Sequence, residues 1–157
     1  MNYETLYANA ISAYRAHDYE SALGLLNTLS EEYPDNALLH NDLAATYNHL
    51  GQYEKAIKHA QEIVRRIGDK SQYAAAQYNA GFAYEQLGDL QKALANYKLA
   101  VSNGNSRVQS DVTRVSNKIN KQSKTKSKAA VFNEAAARVK TNTSNIAQVV
   151  KTAESRD

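Results

Sequence analysis

Cysteine and tryptophan are absent, proline occurs once, at Pro34, and only six glycines interrupt the 157 residues. The lack of cysteine excludes disulfide staples and thiolate chemistry. With so few breakers, helix-forming residues run for long stretches, and an all-α chain about the size of one domain is expected. No run approaches the roughly 18 apolar residues of a membrane span, and the Met1-Asn2-Tyr3-Glu4 start lacks the basic patch and apolar run of a leader. Cytoplasmic residence is the expectation. Asn142-Thr143-Ser144 has the form of a glycosylation sequon, but no secretion signal supports it.

Enzyme signatures are missing as well. There is no glycine-rich phosphate loop, no Gly-x-Ser-x-Gly elbow and no His-Glu-x-x-His. His17, His40, His49 and His59 are scattered without the i, i+4 pairing of metal ligands. The reading is therefore non-catalytic, with no cofactor and no metal. Glu31-Glu32 reads as a solvated helix end, and most of the eleven tyrosines are better explained by packing than by chemistry.

What is present is self-similarity. Ala16-His17-Asp18-Tyr19-Glu20-Ser21-Ala22-Leu23 aligns with Leu50-Gly51-Gln52-Tyr53-Glu54-Lys55-Ala56-Ile57 and with Leu87-Gly88-Asp89-Leu90-Gln91-Lys92-Ala93-Leu94. Ala22, Ala56 and Ala93 are thus 34 and 37 residues apart. A period of 34 is that of stacked helix pairs. The three extra residues are expected in a loop near Gly68-Asp69-Lys70-Ser71. Small residues recur at Ala10, Ala44 and Gly81 in each first helix and at Ala22, Ala56 and Ala93 in each second helix, where they permit close approach. Tyr47, Tyr84, Leu26 and Tyr97 are the large partners. Gly51 and Gly88 end first helices in the left-handed region, and His17 at the equivalent place predicts either strain or a different turn.

These positions resemble the tetratricopeptide repeat (TPR) family. The resemblance implies an α-solenoid of three helix-turn-helix repeats, at residues 3–36, 37–70 and 74–107, closed by a capping helix over 105–120. Val108, Val112, Val115 and Ile119 form the cap's apolar stripe. The first repeat departs most from the pattern, with Asn9 and Ala13 where Leu and Tyr are usual. In the family the first helices line a concave peptide-binding surface. Carried over, this groove comprises Tyr7, Ile11, Tyr14, Asn41, Asp42, Asn48, Tyr78, Asn79 and Phe82, with Glu4, Ala8, Ala45, His49, Ala75 and Glu85 among its neighbours. Aromatics would supply contact area and Asn side chains would bond a peptide backbone.

The clamp by which TPR proteins hold acidic chaperone tails needs Lys, Arg and Asn where this chain has Tyr7, Ile11, Asp42, Ala75 and Asn79, so an apolar or basic ligand is implied instead. The expected function is a protein-protein interaction scaffold or adaptor. Two alternatives are a chaperone for a secreted or assembly client, as the likeness to bacterial secretion chaperones suggests, and an adaptor whose basic tail touches nucleic acid or membrane.

Charge divides the chain. Residues 1–100 hold 8 Lys or Arg against 12 Asp or Glu, net −4, whereas 101–157 hold 11 against 4, net +7. The lysine-rich run 121–128 reads as a solvated linker. It has no interleaved aromatic, so nucleic-acid stacking is not supported. Beyond it, in the segment 129–157, Ala129, Phe132, Ala136, Val139, Thr143, Ile146, Val150 and Ala153 follow alternating steps of three and four, one stripe of an amphipathic helix with a break expected at 141–144. Phe132, Val139, Ile146 and Val150 are its docking residues. The sequence leaves open disorder, docking in its own groove as an autoinhibitor, and docking on a second copy.

Overall fold

The computed structural model describes residues 2–66 and 70–154, with side chains for all of these but 64–66, 70–71, 149–150 and 152–154. Its helices are α1 Tyr3–Arg15, α2 Tyr19–Glu32, α3 Ala37–His49, α4 Tyr53–Arg66, α5 Lys70–Gln86, α6 Leu90–Ser102 and α7 Gln109–Glu154, with a 3-10 turn at Ser106–Val108. Among the described residues there is no strand, and no helix is long and apolar enough to cross a membrane. Two compact units result, Met1–Asn117 and Lys118–Asp157.

The first unit is a set of helix pairs, α1 with α2, α3 with α4 and α5 with α6, in which α2 packs on α3 and both α3 and α4 pack on α5. Each first helix ends in the same way. His17 (φ 62°), Gly51 (φ 71°) and Gly88 (φ 83°) are left-handed. The following residue's N–H then reaches back to a carbonyl five positions earlier: Asp18 to Ala13 at 3.0 Å, Gln52 to Tyr47 at 2.9 Å, Asp89 to Tyr84 at 2.9 Å. This is the Schellman arrangement, which satisfies carbonyls that the helix itself leaves without donors. Gly104 (φ 104°) and the bond from Asn105 N–H to Ala100 O at 3.0 Å repeat it at the end of α6. The helices α1, α2, α3 and α6 start on a side-chain cap: Asn2 accepts from Thr5 N, Asp18 from Ser21 N, Asn36 from Leu38 N and Asp89 from Lys92 N.

The small residues sit where the spacing puts them. Ala10, Ala22, Ala44, Ala56 and Ala93 are all fully buried, as are Leu26 and Tyr97. Gly81 has the tightest site: a Cβ there would lie 2.7 Å from Cδ1 and 2.8 Å from Cε1 of the Tyr97 ring. That ring is fully buried and its hydroxyl donates to Glu85 at 3.1 Å, so it cannot swing aside.

Two expectations are corrected in part. The extra residues between the second and third repeats do not all form a loop, because Lys70 and Ser71 already belong to α5, whose 17 residues exceed the 13 of α1 and of α3; Gly68 and Asp69 lie outside the described residues. The lysine-rich run 121–128 and the segment 141–144 are both helical, within α7. Nothing after Gly104 is Gly or Pro, and hydroxyls that could compete with the helix bond its own carbonyls instead, Thr125 to Lys121 O at 3.0 Å, Thr141 to Ala137 O at 3.1 Å and Thr143 to Val139 O at 2.9 Å. In the first unit Val108 and Val115 are buried and Val112 is half-buried.

Two substitutions test this packing by thermal denaturation. Gly81→Ala should destabilise by about 1–3 kcal/mol through overpacking against Tyr97, although Ala is the better helix former by roughly 1 kcal/mol; an unchanged melting midpoint would contradict the crossing. His17→Gly removes a left-handed backbone penalty but also an exposed bond from His17 Nδ1 to Tyr19 Oη of 2.7 Å. The expected outcome lies between neutral and about 1 kcal/mol more stable, and a clear loss would show that the Tyr19 contact outweighs the strain.

Candidate functional site

The first helices α1, α3 and α5 carry all nine groove residues. On α1, Tyr7 stacks on Tyr3 with ring centroids 5.8 Å apart, and its hydroxyl donates to Asp42 Oδ2 of α3 at 2.8 Å. Burial raises the pKa of the Asp42 carboxyl, opposed by this hydrogen bond. Burial likewise raises Tyr7, with the Asp42 bond and charge adding to it. Tyr7 and Asp42 are therefore partners of one another. Ile11, farther along α1, is half-buried.

The asparagines behave differently from the expectation that they face a ligand. Asn41, Asn48 and Asn79 are 6%, 8% and 9% exposed, and each amide NH2 is used within the fold. Asn41 donates to Gln72 O at 3.1 Å, Asn79 to Asn41 O at 3.3 Å, and Asn48 to Asn79 O at 3.0 Å. These bonds form a ladder between α3 and α5, each taking the second lone pair of a helical carbonyl. Because the carbonyls require donors, the amide orientations are set, and Asn41 Oδ1 and Asn48 Oδ1 are left buried without a hydrogen-bond partner.

Beside this ladder lies a depression of about 140 Å³ lined by Tyr14, Ala45, Asn48, His49, Tyr78, Asn79 and Phe82. It gathers five of the nine groove residues; Tyr7, Ile11, Asn41 and Asp42 are not part of its lining. Tyr78 is 37% exposed, while Tyr14 and Phe82 are half-buried. Burial raises the Tyr14 and Tyr78 hydroxyl pKa values, so both rings are neutral walls at physiological pH. At the rim Tyr19 stacks on His49, with centroids 4.4 Å apart and planes 5° from parallel. Tyr19 was not among the groove residues, since it opens a second helix, and only its distance from His49 in space reveals its part. Arg114 of α7 is another residue that no sequence pattern announced. It pairs with Glu85 and, at 2.6 Å, with Asp111, so the Glu85 carboxylate is neutralised inside the fold.

The tetratricopeptide repeat profile matches residues 34–104. The repeat unit is a TPR array. Solved structures similar to it include PcrH in complex with the chaperone binding region of PopD, at 21% identity over 73% of this chain and 91% of that one, TM-score 0.68. The TPR2AB domain of yeast Sti1, solved with an HSP90 peptide, shares 21% identity over 76% of this chain and 48% of that one, TM-score 0.70. The Sgt2 TPR domain of Aspergillus fumigatus shares 22% over 77% and 81%, TM-score 0.70. No curated protein sequence matches the chain.

The profile begins after the first TPR helix pair, the one that departs most from the family's usual residues. The histidines of the TPR unit are also less scattered than their sequence positions suggest. His40 Nδ1 lies 3.0 Å from His59 Nδ1, and His40 Nε2 lies 2.8 Å from the Pro34 carbonyl. Nε2 must donate to that carbonyl, so Nδ1 of a neutral His40 accepts and His59 Nδ1 donates. The Tyr47 ring covers His59 with centroids 5.3 Å apart. Among the described residues no group of three potential ligands could hold a metal.

Burial, then the neighbouring His40 and Lys58, pushes the His59 pKa from 6.5 down to about 4. The folded protein thus binds fewer protons at His59 than the unfolded chain between those values. The stability due to neutral His59 is present above pH 6.5 and is lost as pH falls toward 4. Thermal melts across that window should show a steeper decline for the wild type than for His59→Gln; parallel curves would show that His59 is not the titrating group.

Proposed function

We propose that the TPR unit is a non-catalytic protein-binding module whose ligand is an apolar peptide segment seated against Tyr14, Tyr78 and Phe82. The depression between α1, α3 and α5 carries this reading: three aromatic walls stand over a floor of amides already engaged with helix carbonyls. Aromatic rings that are rigid and partly exposed give contact area at small entropic cost.

An acidic chaperone tail is not the ligand this surface suits. The RPAP3 and Sti1 structures hold HSP90 peptides, but fold similarity at this identity does not carry their ligand across. Here Asp42 stands among the corresponding positions and none of the five is a cation, so a ligand carboxylate would meet a carboxylate rather than paired positive charge. The likeness to nearly the whole of PcrH favours, as the second reading, a chaperone that shields an unstable client. A chaperone would protect one bound client from proteolysis, whereas an adaptor would bridge two folded proteins.

Peptides selected on the wild type from a random library provide the test. Tyr78→Ala combined with Phe82→Ala should weaken them by about 2–4 kcal/mol in fluorescence polarisation, with the helical circular dichroism signal retained. The acidic peptide SRMEEVD should show no saturable binding. If selected peptides bind the double variant as tightly, the depression is not the site.

A further inference from the structure

The second unit is a helix with an uncovered apolar stripe. Phe132, Val139 and Ile146 are 73%, 64% and 65% exposed, and Ala129, Ala136 and Thr143 between them are exposed too. These six stand at alternating steps of three and four, the a and d positions of a heptad repeat, and Val150 and Ala153 continue the pattern.

The sizes at those positions are not random. From 129 to 146 every a position is small or polar (Ala129, Ala136, Thr143) and every d position is large (Phe132, Val139, Ile146), an order that Val150 and Ala153 reverse beyond it. In a parallel pair a faces a and d faces d, so alanine layers leaving voids would alternate with crowded Phe–Phe and Ile–Ile layers. In an antiparallel pair a faces d, and each layer holds one small and one large side chain. The stripe is therefore its own complement when a second copy runs the other way, and small-against-large layers are those that fill space evenly.

We propose that residues 129–146 form the core of an antiparallel coiled coil with a second copy of this chain. Ala129 then faces Ile146 of the partner subunit, Phe132 faces Thr143 of the partner subunit, and Ala136 faces Val139 of the partner subunit. Charge agrees with this orientation. Lys118, Lys121, Lys124, Lys126 and Lys128 precede the stripe; a parallel pair would set two such runs side by side, whereas the antiparallel pair separates them to opposite ends. The positions flanking the stripe, Asn133, Ala135, Asn142 and Ala147, are uncharged, with Lys140 the exception, so little repulsion opposes contact. The stretch 129–146 is about 27 Å of helix 10–12 Å wide, and with residues 147–153 lying beside 122–128 of the second copy the pair buries on the order of 1,000 Å², near the lower bound for a specific interface.

Light scattering on the full chain at about 100 μM should give twice the 17.4 kDa of one copy. Val139→Glu should give the single-chain mass, and Val139→Leu should keep the double mass. Since Val139 is exposed in the single chain, the repeat unit's melting should be unchanged in both. The absence of native cysteine allows one spin label per chain. Labels at Ala130→Cys should lie about 22 Å apart along the axis, fifteen residues of rise, while labels at Ala137→Cys should come close together. A single-chain mass for the wild type, a dimer that survives Val139→Glu, or close labels at position 130 would each overturn the proposal.

Discussion

The crossing of α5 over α6, where the Gly81 backbone lies against the Tyr97 ring, is the constraint on which the upper part of the repeat unit depends. A glycine in mid-helix costs roughly 0.5–1 kcal/mol relative to alanine, and here it is the absence of a Cβ that lets a fully buried aromatic ring occupy the interface. The same ring hydroxyl holds Glu85, and Glu85 in turn holds Arg114. One close approach thus fixes the third helix pair and ties the start of α7 to it. Tyr78, which forms one wall of the depression, lies one turn before Gly81 on α5, with its ring centroid 5.9 Å from that of Tyr97.

The groove's geometry rests on a second device, the asparagine ladder between α3 and α5. A helical carbonyl already accepts from the N–H four residues on, but its other lone pair can take a side-chain amide. Asn41, Asn48 and Asn79 use this capacity in both directions across the helix interface. The arrangement sets the spacing of the two helices and makes a polar floor whose donors are already committed. In the proposed binding mode recognition then falls to the aromatic walls, which suits a ligand chosen for apolar bulk more than for charge.

The two units differ in how their apolar surface is handled. In the repeats, successive helix pairs bury one another, so that alanines and leucines are dry. In α7 from Ala129 to Ile146 the apolar positions are exposed, although the helix itself meets no breaker. Helices of this kind draw little from intrinsic propensity alone and gain most from an apolar face that finds a partner. The TPR unit's depression is formed by several helices, whereas the terminal helix carries a single stripe.

Periodicity and size carried the fold. The alanines at 22, 56 and 93 and the left-handed residues at 17, 51 and 88 share the spacings 34 and 37, because both follow from the repeated length of a helix pair, a local property that a linear pattern records. Glycines and short side chains likewise declare close crossings wherever they stand. The roles of polar residues were decided only in three dimensions. Tyr7 with Asp42, His40 with His59 and Glu85 with Arg114 are 35, 19 and 29 residues apart in the chain, and whether such a group faces a ligand or a neighbour depends on where another helix puts its partner. Burial, and with it every altered pKa, depends on the same assembled neighbours. Residue order therefore set the positions of the helices and their small contacts, while tertiary packing decided which of the groove's polar atoms remain available.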